Sequence, residues 1–457
     1  MSAPIKIGDI MEIQVDRLSF TGKGIGHFNS FVIFIAQTLP GDLIKARITS
    51  LKRKYAEARV VEFIRRSEIF QEPKCRHFDI CGGCSFQNLD YEHQLTAKQE
   101  AVSQHLRRIG KVDNPLVEKV IAADNQFFYR NKMEFSFKPD DQDHIKLGLH
   151  HRGDWNNVFN VDECLLQSKL SNLIVRQIRD FFKEKNIPAY HLSEHHGYLR
   201  FLTIRESKMT GEVMLILVTN KGEFEYKDAF ISMVTNDFPQ VVSIAHVINH
   251  TKANVATGKF SGFIWGKKSI LEKICGKQFI IGPTTFFQTN SRQTEKLYEK
   301  ISDLAEFQSG ENVLDLYTGC GTIAIHIADK VKEVLGVELN PDAVRTAWEN
   351  AELNAVENCQ FVEGDTLKVL NEILEDRPDH FDTVILDPPR AGIGKKVIKR
   401  LKRLLPRKII YVSCNPATLA ADLKELMDAD YHLDPVVPVD MFPHTFHIET
   451  ICRLTKK

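Results

Sequence analysis

The sequence predicts an α/β protein in three parts: a small N-terminal β-barrel, a strand-rich α+β middle and a C-terminal doubly wound parallel sheet. Three observations lead there. Helical and strand-like patterns alternate from Thr294 onward, as in βαβ units that build a parallel sheet. The first 66 residues instead carry short strand-like runs parted by glycine-containing turns, the pattern of a small barrel. A chain of 457 residues is also too long for one ordinary core.

Strand-like runs in the first segment, 1–66, cover Ile10 to Val15, Ser30 to Ile35, Asp42 to Thr49 and Ala56 to Ile64, with Gly22-Lys23-Gly24-Ile25-Gly26 read as a turn. The middle segment, 67–285, opens on a cysteine-rich knot and a helix over about 91–108. Strand-like stretches follow at Met133–Phe137, Lys146–His150, Leu199–Arg205, Val213–Val218 and Val241–Val247, interrupted by a helical pattern from Ser168 to Lys185. The last segment, 286–457, alternates six helices, beginning with Thr294 to Phe307, with strands Asn312–Leu316, Glu333–Glu338, Cys359–Glu363, Phe381–Leu386 and Ile409–Val412. Ligands of such a sheet bind at the carboxyl ends of its strands.

A hydrophobic content of 43% and a charged content of 26% are those of a soluble globular protein. No apolar run follows the first residues and none approaches the length of a membrane helix, so neither a secretory signal nor a membrane span is expected. Nine cysteines, an odd number, point to thiols and metal ligands in a reducing cytoplasm. The formal net charge is zero, but residues 1–66 carry 11 Lys/Arg against 6 Asp/Glu, and Arg390 to Lys408 holds nine basic residues and no acidic one. Such local basic faces can follow a phosphate backbone on a neutral molecule. No feature marks an obligate protein partner.

Asp315-Leu316-Tyr317-Thr318-Gly319-Cys320-Gly321 is a strand ending in a Gly-x-Gly turn, and Glu338 closes the next strand where an acid accepts from ribose hydroxyls. The full Gly-x-Gly-x-x-Gly of a dinucleotide site and the Gly-Lys-Ser/Thr of a P-loop are both absent. An adenosine ligand without pyrophosphate fits, S-adenosylmethionine being the common one. Asp365 is expected near its adenine and Asp387 at the end of the fourth strand in the same pocket. Cys414, in Val412-Ser413-Cys414-Asn415-Pro416, stands between a strand and a helix N-terminus, which favours thiolate over thiol. It is the candidate nucleophile. Cys75-x5-Cys81-x2-Cys84, with Cys164 as fourth member, offers four thiolates that suit zinc or an iron–sulfur cluster alike.

These motifs, in this order, resemble those of the S-adenosylmethionine-dependent RNA uracil-5-methyltransferases, and in particular their iron–sulfur branch acting on 23S ribosomal RNA. Phe286-Phe287-Gln288-Thr289-Asn290 is similar to the family's Phe-x-Gln-x-Asn, whose Gln contacts the cofactor. Asp315 to Thr322 resembles its glycine-rich turn, which implies cofactor contacts for Tyr317, Gly319 and Thr322; family members often carry Asn at the last position. Leu386-Asp387-Pro388-Pro389-Arg390 and Ser413-Cys414-Asn415-Pro416 resemble its two active-site signatures, and His447-Ile448-Glu449 the motif whose Glu is the base. The resemblance implies a TRAM-like barrel, a Rossmann-like methyltransferase domain, and a [4Fe–4S] cluster on Cys75, Cys81, Cys84 and Cys164. The tRNA-directed relatives are expected to lack both barrel and cluster.

The implied reaction adds Cys414 to carbon 6 of uracil, which makes carbon 5 nucleophilic toward a methyl group. Glu449 then removes the carbon 5 proton, with Asp387 orienting the base. A folded RNA loop with an outward-flipped uridine is the expected substrate, most readily in 23S rRNA. The alternatives are the same reaction on tRNA, a cytosine-5 RNA methyltransferase, and a non-catalytic RNA-binding or folding factor.

Overall fold

The computed structural model describes residues 5–140, 142, 144–377, 379–427 and 431–457. Residues 1–4, with which the first segment begins, lie outside the described residues. Strands β1 (Ile10–Leu18), β2 (Gly24–Phe28), β3 (Phe31–Ile35), β4 (Leu43–Leu51) and β5 (Tyr55–Arg65) close into a barrel in the order β1-β2-β3-β5-β4. Alternate residues such as Ile13, Val15, Ile44, Ala46 and Ile48 fill its interior. The Gly22–Gly26 stretch differs from the turn expected of it, because Gly24 and Gly26 belong to β2. A Cβ at Gly24 would stand 2.1 Å from Thr38 Oγ1, and one at Gly26 2.3 Å from Ile13 Cγ2. These glycines serve close packing inside a narrow barrel.

Helix α1 (Tyr91–Arg108) is capped by Asp90, whose carboxylate accepts from the His93 N–H. Its Val102 and Leu106 pack into the core of the C-terminal sheet. The middle sheet is formed by β6 (Lys132–Pro139), β7 (Ile145–His151), β8 (Asp154–Asn160), β9 (Leu199–Glu206), β10 (Val213–Thr219), β11 (Val241–Ile248) and β12 (Lys259–Gly266). Their order is β12-β11-β10-β9-β6-β7-β8. Helices α2 (Lys169–Glu184) and α3 (Lys227–Asp237) join its core through Ile174, Ile178, Phe182, Phe230 and Val234. A hairpin of β13 (Ile270–Ile274) and β14 (Lys277–Ile281) leads into α4 (Ser291–Ala305).

The C-terminal sheet is built from β15 (Asn312–Leu316), α5 (Thr322–Ile327), β16 (Glu333–Glu338), α6 (Pro341–Leu353), β17 (Cys359–Glu363), α7 (Thr366–Asp376), β18 (Thr383–Leu386), α8 (Gly394–Leu404), β19 (Lys408–Ser413) and α9 (Pro416–Met427). Three strands then complete it: β20 (Tyr431–Leu433), β21 (Val437–Val439) and β22 (Glu449–Lys456). The order is β17-β16-β15-β18-β19-β22-β20, with β21 pairing to β22. Strands β15 to β19 pair in parallel, and β22 enters antiparallel beside β19. The chain reverses direction across the sheet between β15 and β18, so a crevice opens there at the carboxyl ends.

Candidate active site

A cleft of about 1350 Å³ opens at those carboxyl ends, walled on one side by Phe260 and Phe263 of β12. Gln288, Tyr317, Gly319, Thr322, Glu338, Asp365, Asp387, Cys414 and Glu449 all line it. Every cofactor-pocket and catalytic position expected from the sequence therefore faces one cavity.

The turn after β15 is shaped by left-handed backbone at Tyr317 (φ +67°), Gly319 (φ +57°) and Gly321 (φ +79°). A Cβ at Gly319 would meet nothing within 4 Å, whereas one at Gly321 would stand 2.9 Å from the Phe361 ring. The need for glycine thus comes from backbone angle and, at Gly321, from packing. Glu338 is held by two backbone donors, Gly319 N–H at 3.1 Å and Asn340 N–H at 2.9 Å. Asp365 caps α7 by accepting from the Leu367 and Lys368 N–H groups at 3.1 and 3.2 Å, so one of its oxygens is already engaged. The Thr322 hydroxyl lies 2.7 Å from the Tyr298 hydroxyl, which anchors Thr322 at the cleft wall.

Cys414 follows β19 directly. Asn415 accepts from the Ala417 N–H at 3.1 Å, with Pro416 at the first helical position, the arrangement that starts a helix. The Asn415 side chain and the Thr418 hydroxyl both donate to the Arg390 carbonyl, at 3.0 and 3.2 Å, stitching this turn to the Asp387–Arg390 loop. In the β19–β22 ladder Ser413 pairs with Thr450, and one further step of that register sets Cys414 against Glu449. Glu449 is 4% exposed.

The electrostatics differ from the sequence expectation at Cys414. Burial, then the neighbouring Glu449 charge, pushes its thiol up to about 11, against a smaller opposing pull from Arg390. Helix-start polarity does not make it a thiolate in the cofactor-free protein. Glu449 is itself raised well above the usual carboxylate range, by burial first and then by Asp387. A protonated Glu449 no longer opposes the thiolate, so the two acids and the thiol form one coupled set. Burial lifts Asp387 to about 7, although part of its surface still faces the cleft. His447, also lining the cleft, is lowered to about 4 by burial and nearby cations, and so is neutral.

Cys84 and Cys164 are buried, and Cys75 and Cys81 pack against the same apolar cluster. Gly83 N–H and the Gln87 amide donate to the sulfurs of Cys81 and Cys84, each at 3.3 Å. Burial raises all four thiols, Cys84 to about 12 and Cys164 to about 11. Among the described residues no group of three or more His, Cys, Asp or Glu side chains is placed to hold a metal ion. The cysteine loop also meets the segment that carries Phe442 and His447 to the cleft: Ser85 and Phe86 N–H both donate to the His444 carbonyl, at 2.8 and 3.0 Å.

Of the basic stretches, Lys52, Arg53 and Lys54 are exposed on the turn between β4 and β5. The Arg390–Lys408 stretch is partly committed elsewhere, since Lys408 bonds Glu311 at 2.8 Å and Arg407 approaches Asp382 at 3.6 Å. Sequence reasoning missed the buried polar network of Tyr91, Gln94, Lys98 and Asp440. Its only sequence signal is polar residues at helical spacing on α1, which an exposed face would carry equally well.

The tRNA (uracil-5-)-methyltransferase family matches residues 90–457, and the TRAM domain residues 4–61. An uncharacterized RNA methyltransferase of Bacteroides thetaiotaomicron is 37% identical over 450 residues, 95% of this chain and 98% of its own. One from Clostridium tetani is 34% identical over 452 residues, 99% of this chain and 97% of its own. The crystal structure of Pyrococcus abyssi tRNA (uracil-54, C5)-methyltransferase in complex with S-adenosyl-L-homocysteine is 32% identical, with a TM-score of 0.80 over 97% of this chain and 99% of that one. That span takes in the barrel, so a barrel by itself does not separate rRNA from tRNA enzymes, contrary to the sequence expectation. The chain belongs to the tRNA (uracil-5-)-methyltransferase family of RNA methyltransferases and carries an N-terminal TRAM domain.

Proposed function

We propose that this protein methylates carbon 5 of a uridine in folded RNA, using S-adenosylmethionine, in the cytoplasm. The observation that carries the reading is that Cys414, Asp387 and Glu449 line one cleft, near enough for both acids to act on the Cys414 thiol, beside the turn read as an adenosine site. Gln288, Tyr317, Gly319, Thr322, Glu338 and Asp365 hold the cofactor, which supplies an electrophilic methyl group when bound. Cys414 gives up its thiol proton to solvent in the open cleft, and its Sγ adds to carbon 6 of the flipped base. Carbon 5 thereby gains the electron density to take the methyl group that the bound cofactor would supply, whose carbon–sulfur bond would break to leave a neutral thioether. Glu449 then takes the proton from carbon 5. The electron pair so released expels Cys414 and restores the ring double bond, leaving 5-methyluridine. Asp387 hydrogen-bonds the base or its adduct. A carboxyl raised by burial is a stronger base once it ionises, which suits Glu449 to this step.

The domain division follows: 1–66 binds RNA, 67–285 carries the cysteine cluster and central sheet, and 286–457 performs methyl transfer. Cys75, Cys81, Cys84 and Cys164 are inferred to hold a [4Fe–4S] cluster. Support comes from their packing on one apolar cluster and the N–H donors aimed at two sulfurs, and the metal itself would have to draw the four thiolates together. Iron and acid-labile sulfide in anaerobically purified protein would support the cluster, and stoichiometric zinc would refute it.

The favoured substrate is 23S rRNA, by the resemblance of the motifs to those of the branch that acts on it. A second reading, tRNA, is favoured by the Pyrococcus abyssi enzyme, whose match spans nearly the whole chain. The decisive assay is cofactor-dependent tritium release from uracil-5-tritiated 23S rRNA and tRNA, with Cys414→Ala as control. Release from rRNA that vanishes in the variant supports the full reading. Release from tRNA alone keeps the chemistry and changes the substrate, and no release from either overturns it.

A further inference from the structure

Residues 440–449 form a strap along the cleft, contributing Phe442, His447 and Glu449 to its lining. The strap is the loop of a hairpin between β21 and β22, whose last pair is Val439 with Glu449. Asp440 follows that pair immediately. No strand or helix organises residues 441–448. Asn290, Tyr129 and the Ser85 and Phe86 N–H groups hold the carbonyls of Met441, Pro443 and His444. One face of α1, where Tyr91, Gln94 and Lys98 recur at spacings of three and four, holds Asp440, Phe442 and His444.

Lys98 Nζ donates to Asp440 at 2.6 Å, with side-chain exposures of 1% and 0%. The same ammonium donates to the Phe442 carbonyl at 3.1 Å. The other Asp440 oxygen accepts from the Tyr91 hydroxyl at 2.9 Å. Gln94 accepts from the His444 N–H at 2.9 Å, and its amide nitrogen lies 3.2 Å from His444 Nδ1. His444 has left-handed backbone, φ +67°, which a residue with a Cβ keeps only where its surroundings fix it. A fully buried ion pair is a poor route to stability, because an apolar pair of like volume often serves as well. What an apolar pair would not do is hold the Phe442 carbonyl and orient the start of the strap.

We propose that Lys98 is a positioning residue for the reaction. Through Asp440 and Phe442 it fixes the mouth of the β21–β22 hairpin, and so the placement of Glu449 and His447 opposite Cys414. Tyr91 and Gln94 are its helpers on the same helix face. This role rests on the reading of Glu449 as the base.

Lys98→Ala alone would leave a buried carboxylate unpaired and is expected to unfold. The informative variant is the apolar exchange Lys98→Met with Asp440→Leu, measured in the full-length protein beside Glu449→Gln. The readouts are thermal melting, S-adenosylmethionine affinity, covalent RNA–protein adduct on denaturing gels, and tritium release. The exchange is expected to melt near the wild-type temperature and to bind cofactor with unchanged affinity. Its adduct should accumulate while tritium release falls about 100-fold, the scale of a misplaced catalytic group. Wild-type release rates in the folded exchange variant, with Glu449→Gln slow, would overturn the positioning role alone. Equal losses of cofactor binding, adduct and release would also overturn it, as general damage. Undiminished release in Glu449→Gln would overturn the base assignment and this role with it.

Discussion

Asp315 and Asp387 each keep a carboxyl raised to about 7, burial being the first cause in both. Asp315 is 1% exposed, and one of its oxygens has no hydrogen-bond partner. In the unfolded chain such groups ionise near about 4. Between those two values the folded state binds more protons than the unfolded one, and stability falls as pH rises through that window. The cofactor-free protein should melt progressively lower as the medium goes from acidic to neutral, and level off above that. Asp315→Asn, which cannot ionise, should remove its share of that slope, leaving that of Asp387, and recover on the order of 4 kcal/mol above the window. Scanning calorimetry across that pH range would show it, and an unaltered slope would place the coupled proton elsewhere. The acid at Asp315 was legible as a strand-end residue in the sequence, but its burial was not. Nothing in Val313-Leu314-Asp315-Leu316 reveals which neighbours will exclude water from it.

At the scale of elements, legibility followed burial pattern. Strands β15, β16, β18 and β19 are covered on both faces and read as continuous apolar runs, which single them out at once. Strands β12, β20 and β22 carry polar residues, and β2 is dominated by glycine, so all four escaped notice. Missing β22 hid the reason Glu449 is buried, because a strand beside β19 is what brings it against Cys414. The glycine-rich turn is legible in the sequence, but the packing that excludes a side chain at Gly321 is not. Gly321→Ala should cost about 1–3 kcal/mol, since it combines a left-handed backbone with a contact on Phe361. Denaturant unfolding would measure that loss, and weaker S-adenosylmethionine binding should accompany it. An unchanged midpoint and affinity would show that the turn relaxes without strain.

Across the whole molecule, the neutral net charge conceals a barrel whose β4–β5 turn presents Lys52, Arg53 and Lys54 to solvent. Replacing all three with Ala should raise the KM for RNA without changing affinity for the cofactor. It should also reduce the salt slope of RNA binding by up to about 2, in proportion to the phosphate contacts removed. Identical slopes for wild type and variant would move the phosphate path elsewhere, to the exposed lysines of α8 among others.

The antiparallel entry of β22 sets an order in time. Cys414 is translated before Glu449, yet the two meet only when β22 slots between β19 and β20. The βαβ units up to β19 can pair as they emerge, while the slot for β22 waits for residues 449–456. On the proposed roles, a growing chain exposes Cys414 before Glu449 is in place, and methyl transfer waits until that stretch has left the ribosome and closed the sheet.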